Sequence, residues 1–214
     1  MTTRPRWQVP LAREALVFVV PLIAVTLVGV WLGWWLLMVV GGLLTVCVSA
    51  FFRDPERQVP SIPGAIVSPA DGRIMEVAEE AGGRRISIFL SVLDVHINRA
   101  PYKGRVSAVT YTPGKFLAAY RREASVVNEA NSITIEHRDR VFVVKQIAGV
   151  LARRIVCRVQ PGSVLEKGQR YGLIRFGSRT DLVLPPEVEV VVGVGDSVRG
   201  GETVLAFLKE PLDI

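Results

Sequence analysis

The sequence predicts a mainly β domain, a compact sandwich or partly closed barrel, preceded by a transmembrane helical hairpin. Three observations carry that expectation. From Ala15 to Phe52 the chain has no charged side chain. From Ala65 onward the apolar residues come in short runs, many alternating with polar residues and bounded by Gly, Pro or Asp. Two similar glycine turns, Gly162–Gly168 and Gly195–Gly201, each precede one of those runs.

The elements follow in order. Residues 1–14 are read as a cytoplasmic N-terminal segment containing Arg4, Arg6 and Arg13. Backbone amides in hydrocarbon must satisfy their own hydrogen bonds, so the uncharged run 15–52 is read as membrane helix. It is too long for one ordinary span and just long enough for two short ones. Gly29, Gly33 and the cluster Trp31, Trp34, Trp35 stand near its middle, where the hairpin is expected to turn back. Arg53 and Arg57 follow the run as the three arginines precede it. Positive charge favours the cytoplasmic side, so both ends, and the domain, are expected on the cytoplasmic face of the cell membrane. The alternative is a single tilted span with the domain outside. A cleaved signal peptide fits less well, because the apolar region is too long and no small-residue cleavage site stands out.

Charge and cysteine content narrow the partners. The chain carries 26 Lys and Arg against 20 Asp and Glu, a net charge of +6, and a pI near 9.7. These cations are scattered singly through strand-like runs, without the continuous patch or aromatic stacking motif of a nucleic-acid binder. An anionic membrane surface is the simpler partner, at ~1 kcal/mol per basic group close to it. Cys47 lies in the apolar run and Cys157 in a strand-like run, so no disulfide between them is expected.

Residues 53–64, with Pro55, Pro60 and Pro63, read as an extended linker. The domain is expected over 65–214. Its runs include RISIFLSV, SITIEH, VFVVKQIAG, YGLIRF and VEVVVGV; only GKFLAAYRREASVV suits a short helix or irregular loop. The two glycine turns resemble those of biotinyl and lipoyl carrier domains, which implies a hybrid-motif sandwich.

Conventional catalytic equipment is scarce. The chain has two histidines and no Cys-x-x-Cys, HExxH, P-loop or nucleotide-binding glycine pattern, so no metal site is expected. What remains is an acid, a base and a hydroxyl in three separate turns: Ser68–Gly72 with Asp71, Asp94–Pro101 with His96, and Phe176–Asp181 with Ser178.

Taken in order, IVSPADGRI, LDVHINRAPYKG, YTPGKF, VVNEANS and IRFGSRTDLVLP resemble the segments of phosphatidylserine decarboxylases, in particular their short membrane-anchored branch. The resemblance spans Phe51 to Leu208. It implies a precursor that cuts itself between Gly177 and Ser178 into residues 1–177 (the β chain) and 178–214 (the α chain), which stay together as a heterodimer. The residue types suit the chemistry. Gly177 has no Cβ to hinder approach to its carbonyl, and the Ser178 hydroxyl can attack it, converting amide to ester. Loss of the ester by β-elimination, then hydrolysis with release of ammonia, leaves a pyruvoyl group at position 178. In turnover that carbonyl would condense with the substrate's serine amine and take up the electrons left by departing carbon dioxide, giving phosphatidylethanolamine from an anionic phospholipid.

A serine hydroxyl needs a base, and an imidazole held by a carboxylate is the usual arrangement. By resemblance Asp71 and His96 fit these roles. Longer family members carry two histidines in this loop, whereas here Arg99 takes the second place. Either His96 serves both maturation and decarboxylation, or it acts only in turnover. Lys115, Asn128 and Arg179 are candidates to bind the headgroup's phosphate or carboxylate. Bland readings stand beside these: Pro-Ala-Asp-Gly is a good turn in any protein, Asp94 caps a turn, and His137 is a solvated hairpin residue. Two other functions fit less well: a membrane-tethered carrier or binding module, which would modify a lysine such as Lys145, and a decarboxylase of another serine-headed lipid such as an archaeal-type ether lipid.

Overall fold

The computed structural model describes residues 11–80, 82–121, 123–150, 154–175 and 178–209. The chain divides into two compact units, Met1–Glu56 and Arg57–Ile214.

The first unit is built on two helices, α1 (Leu16–Leu32) and α2 (Trp35–Phe51), joined by a tight turn at Gly33 and Trp34. They pack side by side where small residues let the backbones approach. A Cβ on Gly29 would lie 2.8 Å from the Met38 nitrogen, and one on Gly41 2.6 Å from Thr26 Oγ1. Most other apolar side chains of the pair face outward, Trp31 and Trp35 among them. A helix over Arg13–Leu32 is long and apolar enough to cross a membrane, and Trp35–Phe51 is shorter.

In the second unit the strands are β1 (Ala65–Val67), β2 (Gly72–Glu80), β3 (Gly83–Leu90), β4 (Ile97–Arg99), β5 (Gly104–Thr112), β6 (Ala130–His137) and β7 (Arg140–Ile147). They continue as β8 (Ile155–Cys157), β9 (Val164–Leu165), β10 (Arg170–Ile174), β11 (Ser178–Leu184), β12 (Val188–Val190), β13 (Ser197–Val198) and β14 (Val204–Leu208). Between β5 and β6, the run expected to be helix or loop is a loop with one short helix, α3 (Ala124–Val127). A long sheet in the order β13-β2-β3-β11-β7-β6-β5-β9 curls as a half-barrel; two three-stranded sheets, β1-β14-β12 and β4-β10-β8, complete the domain. The mainly β expectation is met. One core joins the sheets, with Ile86, Ile88, Ile133, Phe142 and Leu182 from the long sheet meeting Ile66 and Ala206 of one small sheet and Tyr171 of the other.

The echo between the two glycine turns extends to the topology. Gly162 and Gly168 adopt φ of 93° and 74°, and Gly195 and Gly201 adopt 98° and 79°. Only glycine takes such angles without strain, so the spacing of the four glycines fixes two turns of one shape. β9 lies between Gly162 and Gly168 and forms one edge of the long sheet; β13 lies between Gly195 and Gly201 and forms the other edge. Exchanging β1 with β4, β2 with β5, β3 with β6, β11 with β7, β14 with β10 and β12 with β8 maps every sheet onto a sheet. The domain therefore has an approximate two-fold, with the β11–β7 pair at its centre.

Burial along β11 follows from that central place. Six of its seven residues, Ser178 to Leu182 and Leu184, are buried. Successive side chains of a strand point to opposite faces. Ser178, Thr180, Leu182 and Leu184 therefore share one face, and Arg179 and Asp181 the other.

Candidate active site

β3 ends at Leu90, directly opposite Ser178, and the chain turns through Ser91–Asp94 before β4. Asp94 makes that turn: its Oδ2 accepts from the Ser91 N–H at 2.8 Å and from Ser91 Oγ at 2.7 Å. His96 comes next and is buried. Its Nδ1 lies 2.9 Å from the Asp94 carbonyl oxygen. A carbonyl only accepts, so Nδ1 carries the proton and Nε2 is the basic nitrogen.

Ser178 is fully buried, and its Oγ has no hydrogen-bond partner among the described residues. Leaving a buried hydroxyl unpaired costs about 1–3 kcal/mol, which a purely structural position would avoid. Gly177, on the other side of the expected scissile bond, lies outside the described residues.

The registers bring His96 and Ser178 to one level. Thr180 on β11 is paired with Gln146 on β7, and Asn98 on β4 with Gly172 on β10. A Cβ on Gly172 would lie 3.1 Å from Gln146 Nε2, so the two pairs are stacked face to face. Two residues further along, Ile174 of β10 packs on Ala148 beyond the end of β7. Ile174 donates its N–H to the His96 carbonyl at 3.2 Å, and Ala148 follows Ile147, which is paired with Arg179. His96 and Ser178 therefore occupy the layer next to the one held by Asn98 and Thr180. That layer is polar and buried throughout. Asn131 Nδ2 donates to Gln146 Oε1 at 3.0 Å, Gln146 Nε2 to Asn98 Oδ1 at 2.8 Å, and Asn98 Nδ2 to Thr180 Oγ1 at 3.1 Å. These four residues were not singled out by the sequence. The available signal was a polar side chain at an inward position of β6 and another of β7, where alternation calls for an apolar one.

Asp71 sits elsewhere in the arrangement. Its turn is tied to the far end of β4, where the Arg99 N–H donates to the Pro69 carbonyl at 2.9 Å. Asp71 Oδ2 accepts from Arg57 Nη2 at 2.7 Å, and Oδ1 from the Gly200 N–H at 2.7 Å. Its hydrogen bonds thus go to the linker and to the second glycine turn, not to His96. Burial raises the carboxyl above its ordinary range; the Gly200 N–H and Arg57 pull it down, and the charge of Asp94 adds to the rise. Arg57, read from the sequence only as a basic flank, is a partner of this carboxylate and of Glu202 at 3.3 Å. Arg99 is buried beside the same turns, with Nη1 donating to the Gly168 carbonyl at 3.2 Å.

The three headgroup candidates differ. Arg179 is buried on the strand face opposite Ser178, with Nε 2.6 Å from Asp181 Oδ1 and Nη2 2.8 Å from Ser87 Oγ. Asn128 accepts from the Leu117 N–H at 2.9 Å and donates to the carbonyls of Leu117 and Ala148, each at 2.8 Å. Both side chains spend their polar groups within the fold. Lys115 pairs with Asn128 through a backbone bridge, and its side chain is exposed with no ion-pair partner among the described residues. His137 stands at the β6–β7 hairpin in a T-shaped contact with Tyr102, with ring centroids 5.3 Å apart.

A sequence profile described as phosphatidylserine decarboxylase matches residues 44–206. The chain belongs to the phosphatidylserine decarboxylase family. Similar relatives, each named phosphatidylserine decarboxylase proenzyme, include one from Cereibacter sphaeroides at 48% identity, covering 93% of this chain and 90% of the relative. One from Carboxydothermus hydrogenoformans is 45% identical over 92% of this chain and 96% of its own length. One from Ruegeria pomeroyi is 44% identical over 98% and 100%. The family profile spans β1 to β13 and most of β14, so all three turns that carry Asp71, His96 and Ser178 fall within it.

Proposed function

We propose that this chain is a proenzyme that cuts itself before Ser178 and then decarboxylates phosphatidylserine to phosphatidylethanolamine. The observation that carries this reading is the buried Ser178 Oγ, without a hydrogen-bond partner among the described residues, in the same layer as a histidine whose Nδ1 is pinned to a backbone carbonyl. In maturation, His96 Nε2 takes the proton of Ser178 Oγ as that oxygen attacks the carbonyl of residue 177. The Asn98–Thr180 hydrogen bond holds β4 against β11 and so holds base and nucleophile in one layer. Asp71 acts in maturation as a second titratable group, set by Arg57 and Gly200.

The residues present fit a pyruvoyl group, because the hydroxyl from which it would form already stands unpaired in a buried site. Once formed there, it supplies a carbonyl electron sink for a substrate amine. Around it, His96 Nε2 holds the proton for the carbon that has lost carbon dioxide, the buried layer excludes water, and Lys115 offers an ammonium to the headgroup. The hairpin anchors the domain, with both chain ends on the cytoplasmic side.

The paired glycine turns and the two-fold they belong to support a biotinyl/lipoyl-like hybrid architecture without the carrier function. A carrier needs a lysine exposed at a hairpin tip; Lys145 lies in mid-strand on β7, its Nζ donating to the Ser125 carbonyl at 2.7 Å.

The test is turnover of phosphatidylserine labelled in the serine carboxyl group. The purified chain is expected to release the label as carbon dioxide, and Ser178→Ala to release none. Equal release from Ser178→Ala would overturn the proposal.

A further inference from the structure

Several connections leave the long sheet at the edge where Ser178 lies. β3 ends at Leu90, opposite Ser178. β7 ends at Ile147, opposite both Arg179 of β11 and Ala130, the first residue of β6. Ala130 in turn stands opposite Thr112, the last residue of β5. The connections 91–96, 113–121 with 123–129, and 148–150 therefore project from one rim, with His96 at its root.

That rim is apolar where it meets solvent. Leu93 is 83% exposed and Val126 81%, and Val92, Phe116, Tyr120 and Val150 are exposed beside them in the chain. The opposite rim differs. Its turns at 80 and 82–83, 138–139 and 185–187 expose Glu80, Arg138, Asp139 and Glu187, and its exposed large apolar side chains among the described residues are the valines Val141 and Val164 beside those turns. The apolar rim also carries two exposed cations, Lys115 and Arg121, without ion-pair partners among the described residues; Glu123 is the exposed acid on the same connection. A one-sided concentration of apolar side chains with unpaired cations is the pattern of a surface that meets anionic lipid.

The proposed reaction, on which this inference rests, gives the same direction. A diacyl lipid leaves the bilayer only by exposing its chains to water, so its headgroup must be processed with the tails still in place. The end of the domain that holds His96 and Ser178 must then meet the bilayer surface.

We propose that the rim formed by residues 91–96, 113–121, 123–129 and 148–150 is the face the catalytic domain lays against an anionic bilayer. Leu93 and Val126 insert below the headgroups, Lys115 and Arg121 lie against the phosphates, and the headgroup enters beside His96. The hairpin tethers the chain; this rim docks the site.

Two measurements on the full chain test it. In the first, a fluorophore is placed by Leu93→Cys or, on the opposite rim, by Asp139→Cys, both in a Cys47→Ser, Cys157→Ser background reconstituted into phosphatidylglycerol-containing vesicles. Brominated acyl chains are expected to quench the label at 93 several-fold more than at 139; equal quenching, or none at 93, overturns the proposal. This readout does not depend on the chain's being a decarboxylase. The second compares Leu93→Asp, Val126→Asp with the parent on two substrates. Turnover of phosphatidylserine in vesicles should fall at least tenfold, while self-cleavage and turnover of a short-chain, water-soluble phosphatidylserine stay within about twofold. A parallel loss on both substrates, or no loss on vesicles, contradicts it.

Discussion

At the scale of single residues, the site depends on which polar groups are satisfied and which are not. Ser178 Oγ is buried with no partner among the described residues, whereas Arg179 beside it in sequence is paired with Asp181 and Ser87. The difference is one step along a strand, which turns one side chain toward the histidine layer and the next away from it. Conservative changes separate the roles. Thr180→Val keeps the shape and removes the acceptor of Asn98 Nδ2, leaving a buried donor unsatisfied at a cost of about 1–3 kcal/mol. Self-cleavage followed by gel should slow about tenfold or more, while Thr180→Ser, which keeps the hydroxyl, should restore it. A merely structural residue would lower the melting temperature without that selective rescue. Asp71 makes a prediction in pH. Burial raises its pKa above the ordinary carboxylate value, so the folded state favours the protonated carboxyl. The stability linked to this proton is fully present below the ordinary carboxylate range and is lost as pH rises through the raised value. Asp71→Asn should therefore flatten the dependence of Tm on pH in that window, and an unchanged profile would show that Asp71 is not the titrating group.

Elements were legible in the sequence to the degree that their pattern was local. The uncharged run with glycine and tryptophan at its middle reads as two helices and a turn, and the structure has α1, α2 and a turn at Gly33–Trp34. β-Branched and aromatic runs ending at Gly, Pro or Asp read as strands, and most are strands. The linker was less legible, because its proline content says that it is extended and not what it touches. In the structure Arg57 reaches Asp71 and Glu202, and Lys167 Nζ donates to the Ile62 carbonyl at 3.2 Å. A long-range ion pair leaves no local pattern. Its removal is informative: Arg57→Ala uncovers a largely buried carboxylate, which should lower Tm by several degrees and slow maturation, read by thermal scanning and gel. Arg57→Lys, which keeps the charge but not the planar fork, should recover part of the loss.

The second unit as a whole has an approximate two-fold with the β11–β7 pair at its centre. Its trace in sequence is short: the two glycine turns, and the pattern Pro-x-x-Gly-Arg, which leads into β2 at Pro69–Arg73 and into β5 at Pro101–Arg105. The rest of the symmetry lies in pairing between distant strands. The same holds for the site. Asp71, His96 and Ser178 were found as separate turns with suitable side chains. Their mutual placement, His96 level with Ser178 and Asp71 bound to Arg57 and Gly200, follows from registers between strands far apart in the chain. The buried series Asn131, Gln146, Asn98 and Thr180 escaped sequence reading for that reason. The most direct test of the central claim is the intact mass of the freshly purified full-length protein. The account predicts two species, the smaller being residues 178–214 with a keto group in place of the serine amine, lighter by one ammonia than a hydrolytic fragment. A single uncut chain, or a fragment that begins with an intact serine, would contradict it.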